Sequence, residues 1–202
     1  MKKQLSMLLQ YALASLWLVS AGALAFDEDQ LAQQLAQDQV LRGDFVQEKH
    51  LRGLPQPLRS HGRFVLAADG LLWDLDKPLP RKYRISSQGV ALLQDGDWQL
   101  QGKQDAAARQ SRLFLSVLQG DQQGLREEFD LQLQGDEDDW LLSLLPKSLL
   151  LKQIFQRIDV QGGTHVRSIE LLESQGDRTL MQMHNISPDT ALNSDEQAAF
   201  AQ

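Results

Sequence analysis

The chain has 202 residues, 20 Lys and Arg against 27 Asp and Glu, a formal net charge of −7 and no cysteine. This length fits one domain with at most a short tail. The acidic balance counts against nucleic acid as a partner and against steady adhesion to an anionic membrane, and the lack of cysteine excludes disulfides, thiolate metal sites, a cysteine nucleophile and a lipidated cysteine.

In chain order, Lys2 and Lys3 precede an apolar run from Met7 to Val19, which ends at Ala23-Leu24-Ala25. This is the pattern of a signal peptide over 1–25, cleaved after Ala25. The run is too short for a membrane span, which needs roughly 20 apolar residues. The mature chain, 26–202, is expected to be soluble and periplasmic, with 18 basic residues against 27 acidic ones once Lys2 and Lys3 are removed. It opens with a predicted helix over 26–41. Asp27 stands at the N-cap, Gln30 at the capping-box position, and Phe26 is placed to pack on Leu31. Leu31 and Leu35 share one face of that helix.

Short strands follow: Asp44–Leu51, Leu58–Ala67, Leu71–Asp76, Lys82–Ser86, Val90–Gln94 and Asp97–Gln101. Asp69-Gly70 and Asp95-Gly96 suit tight hairpins, and the regular spacing favours an antiparallel meander. A helix is predicted over 105–119, with Leu113, Phe114, Val117 and Leu118 as its apolar stripe and Gly120 as its stop. The later strands are Leu125–Gln134, Asp139–Leu145, Leu149–Val160, Thr164–Ser174 and Asp177–Ile186. Residues 187–202 form a C-terminal tail with a short helix ending at Phe200. The chain is thus mainly β (α+β), with about eleven strands. A sheet of that size curls, and its concave face must be filled, closed by a helix or used for a ligand.

Catalytic signatures are lacking: no G-x-S-x-G elbow, no phosphate-binding G-x-x-x-x-G-K and no H-E-x-x-H. His50, His61, His165 and His184 lack metal-ligand spacing, and Asp136-Glu137-Asp138-Asp139 lacks the alternation of a calcium loop. No enzyme activity, cofactor or metal is expected. The apolar residues say more. Alternation places Phe64 with Leu66, and Leu71 with Trp73 and Leu75. Trp140–Leu145 and Leu149-Leu150-Leu151 are apolar at both parities, which fits either a core covered on both sides or a surface kept for a ligand.

The order of motifs resembles the periplasmic outer-membrane lipoprotein carrier family, the LolA-like proteins. Phe45-Val46-Gln47 looks like the family's F-x-Q strand. His61-Gly62-Arg63-Phe64-Val65-Leu66, followed by Leu72-Trp73-Asp74-Leu75-Asp76-Lys77-Pro78, looks like its G-x-L/F and aromatic-Trp…Pro segment. Asp139-Trp140-Leu141-Leu142…Pro146-Lys147, Leu151-Lys152-Gln153-Ile154 and the hairpin Glu173–Thr179 resemble its late strands. The resemblance covers nearly all of 26–202. It implies an unclosed antiparallel β-barrel whose helices form a lid over an apolar cavity. It also implies a monomeric carrier that takes an acylated lipoprotein or other envelope lipid from an inner-membrane transporter to an outer-membrane receptor. Cavity lining is then expected from Phe45, Phe64, Leu66, Leu71, Trp73, Leu75, Trp98 and Trp140, and lid contacts from Leu31, Leu35, Leu113, Phe114 and Val117. For each of these, plain core packing is the alternative role. The family's arginine-proline pair, whose arginine helps lock the lid, is replaced by Ala67-Ala68-Asp69-Gly70, so release or cargo is expected to differ. The rival readings are an acyl-sensing or receptor-type module of the envelope without transport and, well behind it, a lipid hydrolase.

Overall fold

The computed structural model describes residues 26–36, 40–102 and 106–201. The expected signal peptide, 1–25, lies outside the described residues, as do Asp105 and Gln202. Helix α1 (Glu28–Leu35) is closed at its start by a capping box, in which Asp27 accepts from the Gln30 backbone and Gln30 from the Asp27 backbone. It is shorter than the helix expected over 26–41. Val40 and Leu41 open strand β1 instead, because Val40 is buried and Leu41 pairs with Leu66 in the sheet.

After β1 (Val40–His50) run β2 (Leu58–Ala67), β3 (Gly70–Lys77), β4 (Arg81–Ser86), β5 (Gly89–Gln94) and β6 (Asp97–Leu100). Helices α2 (Ala106–Leu118) and α3 (Gln122–Glu128) lead to β7 (Phe129–Gly135) and β8 (Trp140–Pro146). Helix α4 (Leu149–Ile154), strands β9 (Phe155–Gly162), β10 (Val166–Glu173) and β11 (Arg178–Asp189), and helix α5 (Ser194–Phe200) complete the chain. The eleven strands form one antiparallel, unclosed sheet in the order β6-β5-β4-β3-β2-β1-β11-β10-β9-β8-β7. The meander is therefore joined through its middle, where β1 pairs with β11, and its free edges are β6 and β7.

Two helices stand where strands were expected from Leu125 and Leu149. In α3 the Asp121 carboxylate caps the Gly124 N–H, and in α4 the Ser148 hydroxyl accepts from the Leu151 N–H. The run Leu149-Leu150-Leu151 reads as apolar at both parities because it belongs to a helical turn. Helix α2 ends as its sequence predicts. Gly120 takes φ +67°, the Asp121 N–H bonds the Ser116 carbonyl and the Gly120 N–H bonds that of Val117. This pair of bonds is a Schellman closure. In the C-terminal tail, β11 runs on to Asp189 and Asn193 caps α5.

Strand parity sorts the sheet into two faces. The inner face carries Phe45, Phe64, Leu71, Trp73, Leu144, Ile158, Ile169 and Met181, all buried in one cluster with Leu31 of α1 and with Phe114, Val117 and Leu118 of α2. Within this sheet Gly62 fills a tight place, since a Cβ added there would strike the Asp74 carbonyl on β3. Gly62→Ala should lower the stability to urea by about 1–3 kcal/mol. No helix among the described residues is long and apolar enough to cross a membrane.

Candidate functional site

The predicted lining residues fall into three places. Phe45, Phe64, Leu66, Leu71 and Trp73 are buried together on β1, β2 and β3, and Leu75 packs half-buried beside them. The Trp73 ring stacks on Phe45, with centroids 3.7 Å apart, and lies 6.2 Å from that of Phe64. Trp140 shares the inner face at the far end of β8, buried, its indole N–H donating to the Gly163 carbonyl at 2.8 Å. Trp98 stands apart. It pairs with Leu93 on the outer face, where the Arg84 guanidinium lies 5.1 Å from its ring centre. Of the predicted lid contacts, Leu31, Phe114 and Val117 are buried against the inner face, and Leu35 and Leu113 are half-buried.

The space left on the inner face is uneven. Beside Phe64 and Leu66 there is a void of only about 20 Å³, bounded by Leu35, Leu118 and Met183. Burial there lowers the pKa of the adjoining His165, favouring the neutral imidazole. A much larger hollow, about 650 Å³, opens at the end of the inner face where α2, α3 and α4 meet the starts of β7 and β9. Leu113, Leu125, Phe129, Leu151, Ile154 and Phe155 give it apolar walls, with Arg112, Glu127, Glu128 and Lys147 among its polar lining residues. Of the residues picked from the sequence, Leu113 alone lines this hollow. The others were missed because their walls come from α3 and α4, read there as strands.

A sequence reading centred on apolar residues also missed the tether on α2. The Gln119 side-chain amide donates to the carbonyls of Ala67 at 3.0 Å and Ala68 at 3.3 Å. It thus ties the end of the inserted helix to the β2–β3 turn, at the position where the resembling family carries its arginine-proline pair.

On the outer face a second hollow of about 810 Å³ lies between β1–β6 and α5. Its lining combines Arg42, Asp44, Arg63, Asp74, Lys82 and Glu196 with Val65, Leu72 and Trp98, and the predicted lining residues Phe64 and Trp73 also border it. Two arginines fasten the helix over it. Arg42 donates from Nε and Nη2 to Glu196 at 2.9 and 2.5 Å and from Nη1 to Asp189 at 2.8 Å, while Arg84 donates to the Ala199 carbonyl at 2.8 Å. The hydrogen bond from Arg42 holds the Glu196 carboxyl below its ordinary range, against the opposing effect of burial. A carboxylate depressed in the folded state stabilises it fully above the unfolded pKa, about 4.3, and this contribution is lost as pH falls through the lower folded value. Proteolysis within α5 should therefore rise on acidification below that range. Glu196→Gln should show the raised cleavage already at neutral pH; cleavage that ignores both pH and the substitution would refute the latch.

No group of three or more His, Cys, Asp or Glu suited to a metal occurs among the described residues. The family model described as "Outer membrane lipoprotein carrier protein LolA-like" matches residues 20–201. No curated protein sequence matches this chain significantly. Among solved structures, the LolA superfamily protein NE2245 from Nitrosomonas europaea is similar at TM-score 0.51 and 6% identity, over 85% of this chain and 97% of that one. MucB is similar at TM-score 0.50 and 16% identity, over 84% of this chain, which spans 61% of the MucB chain. At such identities the likeness is one of fold. With the family match covering most of its length, this chain belongs to the LolA-like outer membrane lipoprotein carrier family.

Proposed function

We propose that this protein is an exported, periplasmic carrier that shelters the acyl chains of a lipoprotein or related lipid on the way from the inner to the outer membrane, without chemistry on its cargo. The observation that carries this reading is the hollow of about 650 Å³ beneath α2 and α4, far larger than the void of about 20 Å³ beside Phe64 and Leu66. Ligand sites span about 300–1,000 Å³; this hollow falls in that range, and its leucine, isoleucine and phenylalanine walls stand beside Arg112, Glu127, Glu128 and Lys147, an apolar surface with charged groups at its side. Each methylene taken out of water contributes roughly 0.8 kcal/mol, so acyl chains cross an aqueous space only when covered. Helix α2 would act as the movable wall. Were it to swing about its Gln119 tether, the hollow would extend from Leu113 toward Phe64, Leu66 and Trp73, which would then become lining.

Native mass spectrometry of the protein purified from the periplasm tests this directly. The expected result is a co-purified acylated molecule, matched by saturable uptake of a fluorescent fatty acid. Protein that carries no such molecule and takes up none of the probe would end the carrier reading.

A further inference from the structure

Among the described residues, six large hydrophobic side chains are strongly exposed: Leu54, Leu58, Leu79, Leu100, Leu149 and Leu150. Single exposed leucines are ordinary, but a shared location is not. Sheet register shows that five of the six share one. The β1–β2 turn carries Leu54 and leads into Leu58, and the β3–β4 loop carries Leu79. Helix α4, between β8 and β9, carries Leu149 and Leu150. Lys49 pairs with Leu58, His61 with Lys77, His50 with Arg178 and Glu173 with Phe155, so all these connections leave the sheet at the same rim. Only Leu100, at the other end of β6, is elsewhere.

The charges nearest these leucines in the sequence are of one sign. Each of the five lies within two residues of a Lys or Arg, namely Arg52, Arg59, Lys77, Arg81, Lys147 or Lys152, and none lies within two residues of an Asp or Glu. Arg52, Lys77 and Lys152 enter no ion pair among the described residues. Of the rim's acids, Glu48 is engaged by Arg59 at 2.8 Å, Glu173 by Lys49 at 3.8 Å and Asp130 by Lys147 at 3.6 Å. Asp177 accepts from the Arg52 backbone N–H, Glu127 and Glu128 line the hollow with Lys147, and Asp95 and Asp97 sit at the β5–β6 turn. The opposite rim carries the acidic run Asp136-Glu137-Asp138-Asp139 at the β7–β8 turn. The leucines are thus flanked along the chain by cations, three of them without an ion pair among the described residues, while an acidic run stands on the opposite rim. The inner hollow lies at the leucine-bearing rim, with Lys147 and Leu150 in its lining.

We propose that this rim docks transiently on a bilayer surface containing anionic lipid, with the five leucines entering the interface and the neighbouring Lys and Arg meeting the headgroups. Such a surface matches both features at once, since apolar side chains gain by leaving water and each cation gains near an anionic leaflet. The inference goes beyond the carrier reading, because docking and acyl uptake are measured separately.

The test is co-flotation of the purified protein with phosphatidylethanolamine–phosphatidylglycerol vesicles, beside vesicles of phosphatidylcholine. Flotation is expected with the anionic vesicles, weakening as salt is raised. The double variant Leu79→Asp, Leu149→Asp should lose it by about tenfold or more. Both leucines are exposed, so the variant's thermal unfolding should match the parent's. Lys77→Glu with Lys152→Glu, which leaves every leucine in place, should also reduce flotation. The proposal is overturned by no flotation, by equal flotation with both lipids, by flotation indifferent to these substitutions, or by a concentration-dependent dimer that the leucine substitutions abolish. Parent protein that takes up a fluorescent fatty acid yet never floats would overturn docking alone. Protein that floats and takes up none would overturn the carrier reading alone.

Discussion

Replacing Trp73 with alanine should cost about 3–5 kcal/mol of folding stability, read as a lowered urea midpoint. The ring is buried, stacked on Phe45 and close to Phe64. Its removal leaves a large void within the buried cluster it shares with Phe45, Phe64 and Leu71. Aromatic stacking adds about 0.5–1.5 kcal/mol to the loss of buried area. A domain is typically stable by only 5–15 kcal/mol, so this single change removes a large share of the total. A cost near zero would show that the ring faces space the structure can open without penalty, and would move Trp73 from the packed core to the lining of a large cavity.

The second large effect is expected on binding. Leu151→Asp places a carboxylate among the walls of the inner hollow, beside Ile154 and Phe155. An ionised group facing an acyl chain must either stay hydrated in the space the chain needs or be buried unpaired, and both are costly. Uptake of a fluorescent fatty acid should fall at least about tenfold, corresponding to 1.4 kcal/mol or more. Leu151 is only half-buried, so the urea midpoint should move far less than for Trp73→Ala. Unchanged uptake, with folding intact, would remove the acyl chain from this hollow.

The two predictions mark where the sequence was legible. Period-two alternation set Phe64 with Leu66 and Leu71 with Trp73, and they do share one face. The hairpin signals Asp69-Gly70 and Asp95-Gly96 correspond to the β2–β3 and β5–β6 turns, and Gly120 ends α2 as expected. Alternation reports which side chains share a face, and it is silent about how much room remains between them. That room depends on α3 and α4, short helices whose runs of seven and six residues imitate strands. Trp98 illustrates the same limit. It was expected among the lining residues, yet its place depends on the pairing of Leu93 with Trp98, which sends both side chains to the outer face. The arginine latch on α5 joins Arg42 to Glu196 across most of the chain, a distance no local pattern reveals.

The bond from Gln119 to the carbonyls of Ala67 and Ala68 uses main-chain acceptors on one side and an uncharged amide on the other. Whatever side chains drift into those two turn positions, the acceptors stay, so mutation there is free of this constraint. An amide neither titrates nor responds strongly to ions in solution. The contact it makes should hold with equal strength across acidified and salty surroundings, whereas a clasp of guanidinium and carboxylate weakens when acid protonates the carboxylate or salt screens the pair.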